Sequence, residues 1–294
     1  MRRAALWLVL LTMPLAACAA VMNALEQATD ENTAEGKLIR GANRLRKSFQ
    51  DLDPSEEHFI GRSVAAQILA MPQYPLAEDE AQLRYVERVG LGLVATNDRV
   101  RRPFLDYRFG VLATDEINAF ACPGGLILVT RGLVQEARSE DELAAVLAHE
   151  IAHVTLRHGV AAIQQANLAQ AFTYLGAGAA QATMSQEDLD ALTGVFDESV
   201  GDIVQTLVTS GYSRAAEAEA DDLGREFLAT AGYDPQALNR VLLAMQGTGG
   251  EGGMFATHPS PQERLTALGA PLAATIDPAA AARRQARFAA AFGR

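Results

Sequence analysis

The chain has 294 residues, 49% of them hydrophobic, and a formal net charge of −11. That is enough material for one large domain or two small ones with a real core. The acidic balance, with no long basic block, argues against nucleic-acid binding, which needs a phosphate-neutralising surface. The two cysteines, Cys18 and Cys122, sit in unrelated contexts, which excludes a disulfide framework.

Residues 1–17 read as a secretory signal. Arg2 and Arg3 precede an apolar run from Ala4 to Leu15 that is short and interrupted by Pro14, a poor membrane span. Its end, Leu15-Ala16-Ala17-Cys18, resembles a bacterial lipobox, which implies lipid attachment at Cys18. Ala19 in the next position implies sorting to the outer membrane. An ordinary signal peptide or an uncleaved anchor is the alternative. Cys122 reads as a small core residue beside a strand.

Residues 18–50 form a polar tether with an early helix, and a folded domain spans 51–268. Asp53, Pro54 and Glu56 predict a capped helix start. "EDEAQLRYVERVGLGLVA" predicts a second helix. Three β-like runs follow, "FLDYRFGVLA", "INAFA" and "LILVT". Ser139 and Glu142 form a predicted capping box that opens the helix "DELAAVLAHEIAHVTLRHG". Residues 160–210 are helical in tendency, with a weak break at "LGAGAAQATMS". Ser213 caps a helix through Leu228 that Gly232 ends, and Ser260 opens another. The tail 269–294 carries an Ala/Arg-rich helix that could dock, fray or touch anionic lipid.

His149 and His153 lie one turn apart, offset by about 40°, so they project from one face together with Val146, Leu156 and Val160. Leu147, Ile151 and Val154 line an adjacent face, so this helix should be buried nearly all round. Two buried imidazoles need partners, and a metal satisfies both. Glu150, about 100° from His149, is placed as a general base rather than a ligand. H-E-x-x-H alone is a weak signal, and two ordinary core histidines are the alternative. His158 falls about 180° from His149 on a continuous helix, and His58 reads as a surface residue.

The stretch "SRAAEAEADDLGREFL", 213–228, sorts into three faces. Ala216, Ala220, Leu223 and Phe227 form a core stripe. Glu219, Asp222 and Glu226 face solvent, so Glu219 points the wrong way for a ligand. Glu217, Asp221 and Gly224 share the flank beside the core, where Ala220 and Gly224 are small enough for a second helix to come close. Glu217 could then supply a third zinc ligand, a plain acidic amphipathic helix being the alternative. Asp221, one turn on, could accept the other ring N–H of a ligand histidine, His149 by preference.

"HEIAH" followed by "SRAAEAEAD", with "INAFACPGGLILVTRGL" before and "THPSPQERL" after, resembles the zinc metallopeptidase family of HtpX, BepA and LoiP. The resemblance covers residues 51–268. It implies an α+β, mainly helical zincin-type domain with a small β-sheet beside the active-site helix. It implies one Zn2+ held by His149, His153 and Glu217, with Glu150 as catalytic base. The strand around Asn118, Ala119 and Phe120 resembles the family's substrate-side edge strand. From the residues alone His258 reads as a loop histidine, but a His-Pro motif followed by an Arg, here His258 and Arg264, recurs near the family's active site, which implies a role for His258 as gate or oxyanion donor. Nothing after residue 20 is apolar enough to span a membrane, and no helical-repeat domain follows, so the likeness is to compact, lipid-anchored periplasmic members. The implied partners are unfolded or misassembled envelope polypeptides and, through Cys18, the inner face of the outer membrane. A zinc-bearing lipoprotein that chiefly binds outer-membrane assembly intermediates, or a small-peptide aminopeptidase, are the alternatives.

Overall fold

A computed structural model describes residues 54–166, 200–246, 257–269, 272 and 274–293. The signal segment, Cys18, the tether, the Asp53 cap, the break at 175–185 and the glycine-rich stretch 247–253 lie outside the described residues. Leu52–Ile163 and Val200–Arg294 form one compact unit, and the site lies within it.

The described helices are α1 Pro54–Ala70, α2 Glu80–Thr96, α3 Arg131–Glu136, α4 Glu140–Thr155, α5 His158–Ala166, α6 Arg214–Thr230, α7 Ala237–Gln246, α8 Pro261–Leu268 and α9 Pro278–Phe292. The strands are β1 Arg108–Leu112, β2 Ala119–Cys122 and β3 Leu126–Thr130, in the order β1-β3-β2. β3 pairs parallel to β1 and antiparallel to β2, which leaves β2 at one edge of this sheet. The first β-like run is shorter than its composition suggests. Phe104 and Leu105 stay exposed in a turn, and pairing starts at Arg108. No helix among the described residues is long and apolar enough to cross a membrane.

α4 is the centre of the unit, with every residue from Glu142 to Val154 buried. Ser139 caps it by accepting from the Glu142 N–H at 3.2 Å. The predicted box is only half formed, because the Glu142 carboxylate takes the Arg138 N–H at 2.8 Å instead. Three acids in the first turn, Glu140, Asp141 and Glu142, suit the positive end of the helix dipole. Glu140 is fully buried yet saturated. It accepts from Tyr85 Oη at 2.6 Å and Tyr233 Oη at 2.9 Å, and it pairs with Arg287. Asp141 accepts a two-armed contact from Arg284, both arms at 3.0 Å. The tail helix α9 is therefore docked, with Phe288 fully buried in the same core as Leu143 and Leu147.

α6 is the main packing partner of α4. The two backbones meet at Gly224, where an added Cβ would lie 3.2 Å from His149 N. That crowding is why a small residue stands on this flank. Ala220, Leu223 and Phe227 are buried as expected, while Ala216 is only half buried at the helix start. Cys122 is a buried core thiol, and burial pushes its pKa up to about 12.

Two further expectations fail. α4 does not continue to Val160. It stops at Thr155, and Arg157 turns the chain with φ 61 before α5 begins. Arg157 is held there by an ion pair with the buried Glu57 of α1. His58 is not a surface residue. It is half buried, its backbone lies against Gly124, and its ring neighbours Phe59 and Phe104.

Candidate metal centre

α4 and α6 bring His149, His153 and Glu217 together, and the segment just before α8 adds His258. One donor atom from each of the four lies within 4.8 Å of the others. The two histidine Nε2 atoms are 3.1 Å apart. Glu217 Oε2 is 3.6 Å from His149 Nε2, and Glu217 Oε1 is 3.5 Å from His153 Nε2. Donors bound to one tetrahedral ion at 2.0–2.1 Å would be separated by about 3.3–3.4 Å. The observed spacings bracket that value.

All four side chains are buried, His258 the least at 9% exposure. Glu217 Oε1 nevertheless has no hydrogen-bond partner, and neither does Glu150 Oε1, at 2% exposure. Unsatisfied buried carboxylate oxygens are costly. Glu217 belongs to a cluster whose other members are imidazoles, and Glu150 lies near enough to feel His149, His258 and Glu217, so the residues present fit a divalent cation. Burial raises the Glu150 carboxyl above its usual range, against the charges of His149 and His258. Burial also depresses His153 well below the usual imidazole value, helped by the neighbouring histidines.

Every expected site residue except Cys18 lies among the described residues. Asp221 Oδ1 is 2.9 Å from His149 Nδ1, on the ring side away from the cluster. Behind it, Arg264 donates to both Asp221 oxygens, at 3.0 and 2.5 Å. Desolvation works against the charged Asp221, but the Arg264 guanidinium and the His149 contact win and hold its carboxyl far below the usual range. His258 Nδ1 lies 2.8 Å from Glu217 Oε2, inside the cluster. Ala119 and Phe120 lie on β2, the edge strand, and Asn118 precedes it. The Asn118 side chain accepts the Ala119 N–H at 2.9 Å. Glu219 is exposed, outside the cluster.

Two neighbours are not evident from the sequence. Tyr212 stacks on the His153 ring at 4.4 Å and 19°. His158 returns to within 2.9 Å of His153 Nδ1, because the chain turns at Arg157. The stretch bearing Tyr212 also touches the one bearing His258. Gly211 has φ 71, and a Cβ there would lie 2.0 Å from Thr257 O, so only glycine fits. The adjacent glycine was the one available signal for the first of these neighbours.

The profile of Peptidase family M48 matches residues 80–272. The chain is 35% identical over 199 residues to a beta-barrel assembly-enhancing protease of Yersinia pestis, covering 65% of this chain and 39% of that protein. It is 30% identical over 187 residues to the metalloprotease LoiP of Escherichia coli strain K12, covering 63% and 69%. It is 30% identical over 185 residues to the mitochondrial metalloendopeptidase OMA1 of Schizosaccharomyces pombe, covering 62% and 50%. The match thus spans 39% of the length of the beta-barrel assembly-enhancing proteases.

Proposed function

The chain belongs to peptidase family M48, and from that premise we propose that it is a zinc-dependent endopeptidase of the bacterial cell envelope acting on unfolded or misassembled envelope proteins. The observation that carries this reading is the buried His149–His153–Glu217–His258 cluster with the orphaned Glu150 carboxylate oxygen beside it. The envelope assignment is supported by the signal-like first 17 residues and by Cys18. Relatives named for beta-barrel assembly support the substrate class.

His149, His153 and Glu217 would hold the ion. When bound, Zn2+ would supply Lewis acidity to the attacking water and the scissile carbonyl. Glu150 Oε1, free of competing hydrogen bonds, takes the proton of that water and passes it to the leaving amine. An extended peptide aligns along β2 through backbone hydrogen bonds, a mode largely independent of side chains. The Ala119 N–H becomes available to it when the Asn118 side chain lets go.

In this structure the site is closed. The catalytic candidate and all four potential ligands are buried, and His258 stands where a fourth ligand would be. We read His258 as a gate that must leave before a peptide enters. His258→Ala should therefore raise basal proteolysis, measured with casein. A large fall would assign it to oxyanion stabilisation instead, which is worth about 10²–10³ in rate.

Metal analysis of the purified mature protein tests the main reading. One zinc per chain should be lost in His149→Ala, His153→Ala and Glu217→Ala and retained in Glu219→Ala. Loss in Glu219→Ala with retention in Glu217→Ala would overturn the ligand set. Zinc binding without casein cleavage would favour a binding factor. Cleavage confined to free N-termini, with an N-acetylated peptide left intact, would favour an aminopeptidase. A mature N-terminus upstream of Cys18, without acylation, would defeat the anchor.

A further inference from the structure

The early end of α4 places a third imidazole behind the cluster. Arg157, with φ 61, swings the chain back, and His158 lands with Nδ1 2.9 Å from His153 Nδ1. Its other nitrogen, Nε2, is 3.4 Å from Glu219 Oε2 on α6. Tyr212 lies flat on the His153 ring and limits its rotation. On the other side of the cluster, His149 Nδ1 meets Asp221, which is held by Arg264. Each histidine of the HExxH pair thus has a buried partner on the ring edge that faces away from the cluster.

We propose that His158 is a positioning residue for His153, accepting the His153 Nδ1–H while directing its own Nε2–H toward Glu219. The inference rests on the zinc reading above and follows from proton counting. A neutral imidazole carries one N–H. The His153 Nε2 atom faces His149 Nε2 and Glu217 Oε1, which is the side a metal would occupy. A nitrogen that ligates a metal carries no proton, so the His153 proton sits on Nδ1. His158 Nδ1 is then the acceptor, and the His158 proton is confined to Nε2. The direction of the whole chain, from His153 to His158 to Glu219, is set by the metal. Such partners fix tautomer and ring orientation and raise ligand basicity. The last link is the weakest, since it is 3.4 Å long and the Glu219 side chain is 65% exposed.

The test compares His158→Asn with His158→Leu in the full mature chain. The two replacements are similar in size, and only Asn carries an acceptor near the original Nδ1. Zinc affinity is read by competition with a chromogenic chelator, and apo-protein melting is recorded beside it. His158→Leu should bind zinc about 10–100-fold more weakly, while His158→Asn stays within about threefold of wild type. Equal affinities in the two variants would overturn the proposal, since a packing role cannot separate them at matched apo stability. If His158→Leu does not fold, long-range 1H–15N NMR of the zinc-loaded wild type decides. His153 should be protonated at Nδ1 and His158 at Nε2, and a proton on His158 Nδ1 would overturn the assignment. A wild type that binds no zinc would sink the peptidase reading instead, so the two failures are distinguishable.

Discussion

α4 buries one glutamate at its first residue and another past its middle, and it does so in opposite ways. At the first turn, Glu140 is surrounded by two tyrosine hydroxyls and the Arg287 guanidinium. Ten positions later, Glu150 is just as deeply buried and leaves Oε1 without any partner. One carboxylate is stabilised by its neighbours and locks the fold. The other is kept available, and its pKa rises because burial outweighs the nearby positive groups. A buried acid that is saturated stabilises the fold, and one that is left short keeps an oxygen for a ligand or a proton.

Substitutions at the two positions should separate these roles. Glu150→Gln should reduce casein hydrolysis by about 10²–10⁴-fold while zinc content and fold persist, because it removes a base and no ligand. Its apo melting temperature should not fall, since a neutral amide replaces a carboxyl that burial disfavours as an anion. Comparable turnover in that variant would break the comparison at its catalytic end. Glu140→Ala should do the reverse and cost about 1–3 kcal/mol of stability by leaving the Tyr85 and Tyr233 hydroxyls without their acceptor. A denaturant titration measures it, and an unchanged midpoint would show that the saturated end is dispensable.

Two smaller effects sharpen the contrast near the proposed metal site. Asp221→Asn should weaken zinc binding by about 10–100-fold without abolishing it, because His149 keeps its Nε2 but loses a charged partner. Gly224→Ala should weaken it less. The added methyl meets His149 N at 3.2 Å, so α4 and α6 need to separate by only a few tenths of an ångström. Zinc titrations rank the two, and a larger effect at Gly224 would mean that helix spacing matters more than the Asp221 contact.

Much of this was legible in the sequence because it depends on local periodicity. The Ser139 cap, the burial of α4 and the sorting of Glu217, Asp221 and Gly224 onto one flank of α6 all follow from helix geometry. The M48 match agrees with the fold inferred from "HEIAH" and "SRAAEAEAD". What escaped depends on contacts far along the chain. No glycine or proline stands at the end of α4. The helix stops where Arg157 reaches Glu57, a residue one hundred positions earlier, and a continuous helix would have carried His158 to the opposite side. The Tyr212 stack and the half-burial of His58 against Gly124 are likewise tertiary. Docking of α9 could not be separated from fraying, because the acids that receive its arginines belong to another helix.

Those arginines also bear on timing. Arg284 and Arg287 meet Asp141 and Glu140 across 143 and 147 positions of sequence. Synthesis proceeds from the N-terminus, so the acids at the head of α4 emerge long before their cations. Contacts of such separation form late and slowly. Until Arg284 and Arg287 have been made and α9 has docked, Glu140 lacks its guanidinium and Asp141 both arms of its own. The head of the helix that carries His149, Glu150 and His153 is thus held by two arginines from the far end of the same compact unit.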